Sequence, residues 1–483
     1  MIEYLLDPLP WLIVLPLAWA AVAFLLGPGR GAWLAIAALA GQLVLAVLLA
    51  ANLLAEGVQV HAVGGWDAPL GIELAADGLS VVMLLLTQVV TLLLAVYARA
   101  YFTQPGRGAA ATWFWPLTGF LLAGMNALFL SADLFNLYVT LELVSLAAVS
   151  LVAAGGGHAQ VSAALRYLLV SLAGSGAYLV GVALIYGVYG SVSIATLTPL
   201  VQAGAPPAVW VAAGLMALAL MAKTALFPFH FWLPPAHGGA PAPVSALLSA
   251  LVVKATFYLM LRLALTVFAP LTESGAGLLG LFGAAAILWG SWQALRATHL
   301  KMLVAWSTVA QLGYLFIIFP LLAPDGLALQ AGTLHAVSHG LAKAAMFTAV
   351  GVLVLATGRG TLDGLAGVAG RVPLTLFAFA LAGVTLMGLP PSGGFLAKWM
   401  LIDAALTHGQ WGWAVLAIVG GLLAAAYVFR VLHRAFLLAP QAGTFHAVPR
   451  SLEWVAFALA AASVLLGLGG FELLRLLGAG LAA

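Results

Sequence analysis

The sequence predicts an all-α polytopic membrane protein with about fourteen transmembrane helices. Of its 483 residues, 64% are hydrophobic and only 6% are charged, and the mean hydropathy is +1.15. Soluble proteins carry roughly 25% charged residues, so no soluble fold fits this composition. Apolar windows of about 20 residues recur between polar, glycine or proline breaks. They predict spans 1 to 14, in order: 9–26, 32–55, 78–98, 113–131, 133–154, 161–189, 207–231, 242–268, 277–295, 299–321, 328–356, 373–405, 411–437 and 453–477.

The charges between the spans support this number, because they alternate in sign from one loop to the next. The basic loops carry Arg30, Arg99, Arg107, His158, Arg166, Arg296, Lys301, Arg359, Arg371, Arg430, Arg434 and Arg450. The other loops and the N-terminal tail carry Glu3, Asp7, Glu56, Asp67, Glu73, Asp77, Asp133, Glu273 and Asp325, with Arg262 and Arg475 as basic exceptions. Basic loops collect in the cytoplasm. We therefore expect a bacterial inner-membrane protein with both termini outside.

Two spans are interrupted by proline and glycine. Span 7 runs into LFPFHFWLPPAHGGAPAP (226–243), and span 12 contains MGLPPSGGF (387–395). Such breaks leave backbone polar groups at membrane depth, which is tolerated only inside protein or beside a water-filled cavity. Proline and glycine are also simply commoner in membrane helices than in soluble ones. We take the residues at the breaks as candidates for gating: Pro228, His230, Pro390 and Pro391.

The two breaks lie five spans apart, and an odd number of spans reverses the direction of the chain across the membrane. Spans 4–8 and 9–13 are therefore predicted to be inverted repeats, as in transporters. The predicted segments are residues 1–112 with spans 1–3, residues 113–268 and 277–437 with the two repeats, and residues 438–483 with span 14.

Most of the lysines lie within apolar spans, whereas most of the arginines lie in the loops. Four of the five lysines fall within apolar spans, and only Lys301 falls at a loop; the four are Lys223, Lys254, Lys343 and Lys398. Arginine stays charged in proteins, whereas a lysine in a low-dielectric environment can give up its proton near neutral pH. This distribution predicts groups inside the membrane that gain and lose protons.

Further ionisable residues join these lysines. Glu142 lies nine residues after Asp133, about 14 Å into a membrane whose apolar core is roughly 30 Å thick. It needs a cationic partner, and Lys223 or Lys254 would serve. His335, His339 and Lys343 follow at intervals of four residues, so a helix places them on one face. A single Glu–Lys pair can be a static clamp between helices, but the set exceeds what helix pairing needs and indicates a proton relay.

Other kinds of chemistry find no support in the sequence. The chain has no cysteine, which excludes disulfides and cysteine-ligated iron–sulfur centres. Histidines and carboxylates are too scattered for a metal site, and no phosphate-binding glycine motif occurs between a strand and a helix. The basic residues form no cluster that would bind nucleic acid. We expect no catalytic residue, cofactor, metal or nucleic-acid partner.

Five segments together resemble the proton-conducting, antiporter-like subunits shared by complex I, membrane-bound hydrogenases and the multisubunit Mrp cation/proton antiporters. They are DLFNLYVTLELVSL (133–146), AKTALFPFHFWLPPAHGGAPAPVSALLSALVVK (222–254), LKMLVAWSTVAQLGYLF (300–316), HAVSHGLAKAAMF (335–347) and GLPPSGGFLAKW (388–399). The resemblance covers roughly residues 70–440. It implies fourteen helices, two inverted five-helix repeats and broken seventh and twelfth helices.

The resemblance also implies roles for the buried residues. Glu142 matches the fifth-helix glutamate and Lys223 its lysine partner, while Lys254 matches a bridging lysine of the eighth helix. His335, His339 and Lys343 match the proton relay of the eleventh helix, and Lys398 matches the lysine of the twelfth helix. A lysine at position 398 and the stretch at 64–86 favour the D subunit of an Mrp-type Na⁺/H⁺ antiporter, which works beside other membrane subunits and is no enzyme by itself.

Two alternatives remain open at this stage. A proton-pumping subunit of complex I, or of a hydrogenase, would use the same residues with energy from redox centres on other chains. A structural scaffold would use the buried charges only to pair helices.

Overall fold

The computed structural model describes residues 7–68, 71–438 and 445–479. The tips of the first and last predicted segments, with Glu3, lie outside the described residues. The fold is all-helical apart from an antiparallel hairpin of β1 (Gln59–Ala62) and β2 (Glu73–Ala76). Twelve helices in the described ranges are long and apolar enough to cross a membrane.

The helices match the predicted spans in order. They are Pro8–Glu56 (spans 1 and 2), Gly78–Phe102 (3), Gly108–Leu130 (4), Leu134–Ala153 (5), His158–Tyr189 (6), Pro207–Thr224, Phe229–Trp232 and Leu233–Gly239 (7), Ala242–Leu247, Leu248–Val252 and Val253–Leu265 (8), Ala269–Arg296 (9), Leu300–Phe316 and Phe319–Leu321 (10), Leu327–Thr357 (11), Pro373–Met387 and Gly393–Thr407 (12), Trp411–Phe436 (13) and Arg450–Gly478 (14). A short helix, Ile194–Ala203, follows span 6.

Twelve long helices can account for fourteen membrane crossings, for two reasons. The first helix is 49 residues long and breaks at Gly27, whose φ of 71° and ψ of 175° are not helical. Beyond that glycine the chain folds back, since a Cβ on Gly31 would lie 2.8 Å from the carbonyl oxygen of Ala23. Span 12 consists of two helices, each too short to cross alone. The prediction of broken spans 7 and 12 is confirmed.

The two breaks share one backbone pattern, although their side chains differ. In span 7, Ala225 has a φ of 59°, and the N–H of Leu226 donates to the Met221 carbonyl over 3.0 Å. In span 12, Gly388 has a φ of 80°, and the N–H of Leu389 donates to the Val384 carbonyl over 3.1 Å. Each break also contains a cis peptide bond before proline, at Phe227–Pro228 and at Pro390–Pro391.

A second pair of equivalent contacts lies where spans 5 and 10 begin. Asp133 forms an isolated β-bridge with Ser193, just after span 6, and His299 forms one with Thr361, just after span 11. These bridges lie on opposite faces of the molecule. Ala132 donates to Glu73 of the hairpin, whereas Lys301 lines one cavity with Arg107. Repeats 4–8 and 9–13 are therefore inverted copies. We call the hairpin side the acidic face and the other side the basic face.

Arg262, a basic exception in the charge pattern, has a local explanation at the acidic face. Its guanidinium forms a two-bond ion pair with Asp77, with Nη2 donating to Oδ1 over 2.7 Å. It also donates to Ser80 and to the hydroxyl of Tyr258, each over 2.9 Å. Asp77 caps the N-terminus of span 3. The cluster therefore ties the start of span 3 to the end of span 8.

Proline also shapes span 1. Pro16 lacks the N–H that would bond to the carbonyl of Leu12 one turn earlier. The side-chain amide of Asn126 in span 4 donates to that carbonyl over 2.7 Å instead, and Gln88 of span 3 donates to Asn126 over 3.0 Å. The buried amides therefore satisfy a backbone group that proline frees inside the membrane.

Candidate functional site

The structure brings Glu142 and Lys223 together. Their side chains approach to 3.5 Å between Oε1 and Nζ. The ammonium of Lys223 donates hydrogen bonds to the hydroxyls of Ser145 and Ser171, each over 2.8 Å. Lys223 is buried, whereas 19% of the Glu142 side chain is exposed at the rim of the molecule. Glu142 therefore connects the buried lysine to the outer surface of span 5.

Lys254 is fully buried in span 8, beside a local change of helix type. Residues Leu248–Val252 form a π-helical turn, which is frequent at functional sites. The ammonium of Lys254 donates to the carbonyl of Ser249 in that turn. A neutral backbone oxygen is its hydrogen-bond acceptor, and within the described residues no carboxylate lies within salt-bridge distance.

Span 10 connects Lys254 with Lys343. The hydroxyl of Ser249 shares a hydrogen bond of 2.9 Å with Thr308. Lys343, also fully buried, donates to the neighbouring Ser307 hydroxyl and, over 3.1 Å, to the Val304 carbonyl. Polar side chains of span 10 therefore lie between Lys254 of span 8 and Lys343 of span 11.

His335 and His339 follow along span 11, with their rings stacked at 5.5 Å between centroids. Nε2 of His335 lies 3.2 Å from the carbonyl oxygen of Gln311. His339 is buried, and neither of its ring nitrogens has a hydrogen-bond partner among the described residues. Buried polar groups are normally paired, so the unpaired ring of His339 requires an explanation.

Lys398 lies at the broken span 12. Its ammonium donates to the carbonyl of Leu386 over 2.6 Å. That carbonyl lacks its usual helical partner, because the residue four positions later is Pro390. The ammonium also lies 4.2 Å above the ring of Tyr314, which packs against His335. The break thus creates the acceptor that holds the last lysine of the row next to its histidines.

The gating candidates occupy different positions at the two breaks. Pro228, Pro390 and Pro391 are exposed. His230 is buried between Phe227 and Trp306, and its Nδ1 has no partner in the described part of the chain. The geometry of the breaks is compatible with gating, which stays a prediction.

The sequence interpretation missed one whole helix face. Span 10 lines the row with Ser307, Thr308, Gln311 and Tyr314. Polar residues at intervals of three and four in an apolar span could have identified it. It also missed His237, a buried histidine whose ring stacks on Phe347 of span 11 at 5.3 Å between centroids. Lys301 is not a free loop residue, since it donates to the Ala240 carbonyl after the span 7 break.

Between Lys223 and Lys254 the link is less direct. Thr224, next to Lys223, donates to Thr256 of span 8 over 2.8 Å. That pair of hydroxyls joins span 7, next to Lys223, to span 8, two residues from Lys254. The described residues hold no group of three or more His, Asp or Glu side chains that could bind a metal. The arrangement suits the transfer of protons between side chains rather than covalent chemistry.

Comparison with known proteins decides the family. Residues 131–424 match the family model described as NADH:quinone oxidoreductase/Mrp antiporter, TM. The chain belongs to this family. It is 38% identical to NADH-quinone oxidoreductase subunit N of Desulforudis audaxviator (strain MP104C), over 89% of this chain and 87% of that relative.

Two solved structures extend the family assignment to the fold. The Mrp complex from Dietzia sp. DQ12-45-1b aligns with a TM-score of 0.89 at 29% identity, covering 98% of this chain and 96% of the other. Respiratory complex I from Thermus thermophilus aligns with a TM-score of 0.77 at 28% identity, covering 98% and 100%. This family member is therefore an antiporter-type or complex I-type subunit, and other membrane subunits are its partners.

Proposed function

We propose that this chain is the proton-translocating subunit of a multisubunit Na⁺/H⁺ antiporter. Protons move along the buried row Glu142, Lys223, Lys254, Lys343, His339, His335 and Lys398. The observation that carries the proposal is His339, a buried histidine in the middle of the row, both of whose ring nitrogens lack a protein partner among the described residues. A purely structural residue at this position would be paired or apolar.

The buried lysines argue against a scaffold role. Charges that only clamp helices occur as ion pairs, and of the four lysines buried in the described spans, Lys223 alone has a carboxylate within 4.0 Å. Lys254, Lys343 and Lys398 bond to carbonyls and hydroxyls. Each is costly to bury in the charged form, so a structural purpose would favour apolar residues. A row of lysines without fixed counter-charges suits groups that alternate between the charged and neutral forms.

The proposed mechanism starts from the Glu142–Lys223 pair at one end of the row. Glu142 holds a positive charge on Lys223, and a neighbouring subunit can reach Glu142 at the exposed rim. When Glu142 is drawn away, Lys223 loses its counter-charge and passes its proton towards Lys254 through Thr224 and Thr256. Charges in a low-dielectric interior act on one another over longer distances than in water. The proton then proceeds through Lys343 and the histidines to Lys398.

The choice of an antiporter over a redox pump rests on similarity. The TM-score to the Mrp complex is 0.89, against 0.77 to complex I, whereas the membrane-bound sulfane sulfur reductase, an archaeal respiratory membrane complex, aligns with a TM-score of 0.87. The lysine at position 398 also matches the antiporter branch of the resemblance. One observation favours the second candidate, a complex I-type pump: the 38% identity to subunit N of an NADH-quinone oxidoreductase.

The test uses membrane vesicles from cells that express this chain with its neighbouring genes, and a pH-sensitive dye. Sodium is added without NADH, and NADH is then added without sodium. A pH change triggered by sodium alone, and lost in Lys223→Met, is the expected result. A gradient formed only with NADH would instead assign the chain to a complex I-type pump. Normal sodium-driven flux in Lys223→Met would overturn the proposed path.

A further inference from the structure

Span 6 carries a row of buried hydroxyls outside the path described above. Ser171, Ser175 and Tyr178 lie at i, i+4 and i+7, so they share one helix face. All three are at least 97% buried. Ser171 accepts a hydrogen bond from the ammonium of Lys223 over 2.8 Å. The row, called here the hydroxyl track, therefore starts at the Lys223–Glu142 pair.

The other two hydroxyls of the track are unpaired. Neither Oγ of Ser175 nor the hydroxyl of Tyr178 has a hydrogen-bond partner among the residues that the structure describes. Two other buried serines of the spans donate to the carbonyl one turn earlier, Ser145 to Leu141 and Ser338 to Leu334. Ser175 lacks this bond. Two consecutive unpaired hydroxyls in a membrane interior need partners, and water is the usual one.

The track ends at the acidic face. Leu179, the residue after Tyr178, lines the same surface cavity as Asp133. Oδ2 of Asp133 and Oγ of Ser193 are also buried without partners in the described part of the chain. Asp133 and Ser193 line a cavity of about 410 Å³ that is also lined by Gly71 and Ile72, from the loop before β2. The unpaired atoms therefore lead from Lys223 to a cavity at the surface.

The spacing of the track suits bridging water. The Cα atoms of Ser171 and Tyr178 are separated by about 10.5 Å along the helix axis, and those of successive track residues by about 4.5 to 6 Å. The hydroxyls of Ser175 and Tyr178 form no direct hydrogen bond with the described residues, so water is the partner that would join them. A hydroxyl can accept a proton from one neighbour while giving its own to the next, so a proton can pass without leaving net charge on serine or tyrosine.

We propose that the hydroxyl track is a hydrated proton route between Asp133 at the acidic face and the Lys223–Glu142 pair. It gives the first repeat its own access to that face. The route rests on the proposed function, because it delivers protons to the row that starts at Lys223.

Two measurements test the route on the whole complex, purified with its partner chains. The first is hydroxyl-radical footprinting, in which X-ray pulses convert water into radicals that oxidise the nearest side chains. Tyr178 is expected to be oxidised much faster than Tyr97, a buried tyrosine whose hydroxyl donates to the Thr348 carbonyl over 2.9 Å. The second is proton flux into liposomes that contain the complex and a pH-sensitive dye, driven by an imposed membrane potential.

The variants for the flux measurement each remove or keep a single hydroxyl and change little else in the side chain. Tyr178→Phe and Ser175→Ala are expected to lower flux by about tenfold, the effect of a barrier higher by about 1.4 kcal/mol. Ser175→Thr keeps the hydroxyl and is expected to keep most of the flux, and Tyr97→Phe serves as the matched control. Glu142→Gln and Lys223→Met provide the reference for a blocked path.

The outcomes separate the two proposals. Oxidation of Tyr178 together with low flux in Tyr178→Phe and Ser175→Ala supports the route. A Tyr178 that is not oxidised overturns the route. Normal flux in Tyr178→Phe and Ser175→Ala, while Glu142→Gln and Lys223→Met are inactive, also overturns it. In both cases the proposed function still stands. Normal flux in Glu142→Gln and Lys223→Met overturns the proposed function and, with it, the destination of the route.

Discussion

Nζ of Lys223 lies 3.5 Å from Oε1 of Glu142, yet its hydrogen bonds of 2.8 Å go to Ser145 and Ser171. The pair is therefore electrostatic rather than hydrogen-bonded. If Glu142 moves away, the ammonium keeps both hydroxyl partners and is not left bare. This arrangement allows the pair to open without disrupting the packing around it.

The first prediction concerns Glu142→Gln, which removes the charge and keeps the shape. The serine contacts of Lys223 remain, so the complex should assemble normally. Because the row loses the group that sets the charge on Lys223, proton flux should fall at least about tenfold, equivalent to about 1.4 kcal/mol on the rate-limiting barrier. Dye-monitored flux in reconstituted liposomes measures it. Glu472→Gln, which alters an exposed pair with Arg475, is the control and should leave flux unchanged. Equal flux in the two variants would contradict the role of Glu142.

The second prediction separates function from stability at His339. Replacing an unpaired buried polar group by an apolar one of similar size is neutral or stabilising. His339→Leu should therefore unfold at the same temperature as the parent or higher, yet lose proton flux. His433→Gln changes an exposed histidine of span 13 and should affect neither property. A His339→Leu complex with full flux would remove the centre of the proposed path.

The third prediction tests the amide contact in span 1. Asn126→Leu leaves both the Leu12 carbonyl and the side-chain amide of Gln88 without their partners. Each lost contact should destabilise the protein by about 1 kcal/mol, a typical value for a polar contact between membrane helices. Pro16→Ala restores the N–H that can bond to Leu12. In the double variant, Asn126→Leu should then cost less, because only the contact to Gln88 is lost, and a double-mutant cycle from thermal unfolding would measure the difference. Additive effects would show that Asn126 does not compensate for the proline.

The fourth prediction concerns the pH dependence of the Asp77–Arg262 pair. Burial by itself would raise the pKa of Asp77, but the hydrogen bonds and charge of Arg262, together with Ser80, hold that pKa below its usual value. Arg262→Met leaves the mostly buried carboxylate unpaired and should lower the free energy of unfolding by about 3 kcal/mol near neutral pH.

The sign of the pH effect follows from the direction of that shift. A carboxyl group whose pKa is lowered by folding contributes stability above its unfolded value, and the contribution is lost as the pH falls through the folded value. Without Arg262, burial should raise the pKa of Asp77 in the variant. As the pH falls, the stability difference between parent and variant should therefore begin to shrink at that raised pKa and should continue to shrink until the lowered pKa of the parent is passed. A difference that stays constant from neutral pH to pH values below the ordinary pKa of aspartate would show that the pair does not depend on the charge of Asp77. Thermal unfolding across this pH range measures it.

Much of the fold could be predicted, because the bilayer leaves the chain few choices. Spans must be about 20 apolar residues long, and loop charges must alternate, so composition and charge were sufficient to number the spans. The inverted repeat was harder to detect, since the side chains of the halves differ. The structure shows it in the backbone, through matching hydrogen bonds after Ala225 and Gly388.

The residues of the candidate site also fall into those that the sequence could predict and those that it could not. Ionisable residues inside apolar spans stand out, because each is costly to bury, and so Glu142, Lys254 and Lys398 could be identified one by one. Their neutral partners could not, since serine, threonine and backbone carbonyls occur throughout membrane helices. Ser249 and the Leu386 carbonyl become partners only where a π turn or a proline frees a backbone oxygen.

The sequence by itself determined that this is a polytopic membrane protein with broken spans 7 and 12 and a set of buried ionisable groups. These properties depend on transfer free energies and helix geometry, which act locally along the chain. Only the tertiary structure decided which groups meet: Lys223 with two serines beside Glu142, span 10 between Lys254 and Lys343, and Leu179, next to Tyr178, in one cavity with Asp133. Those contacts depend on how helices far apart in sequence pack together, and no local pattern contains that information.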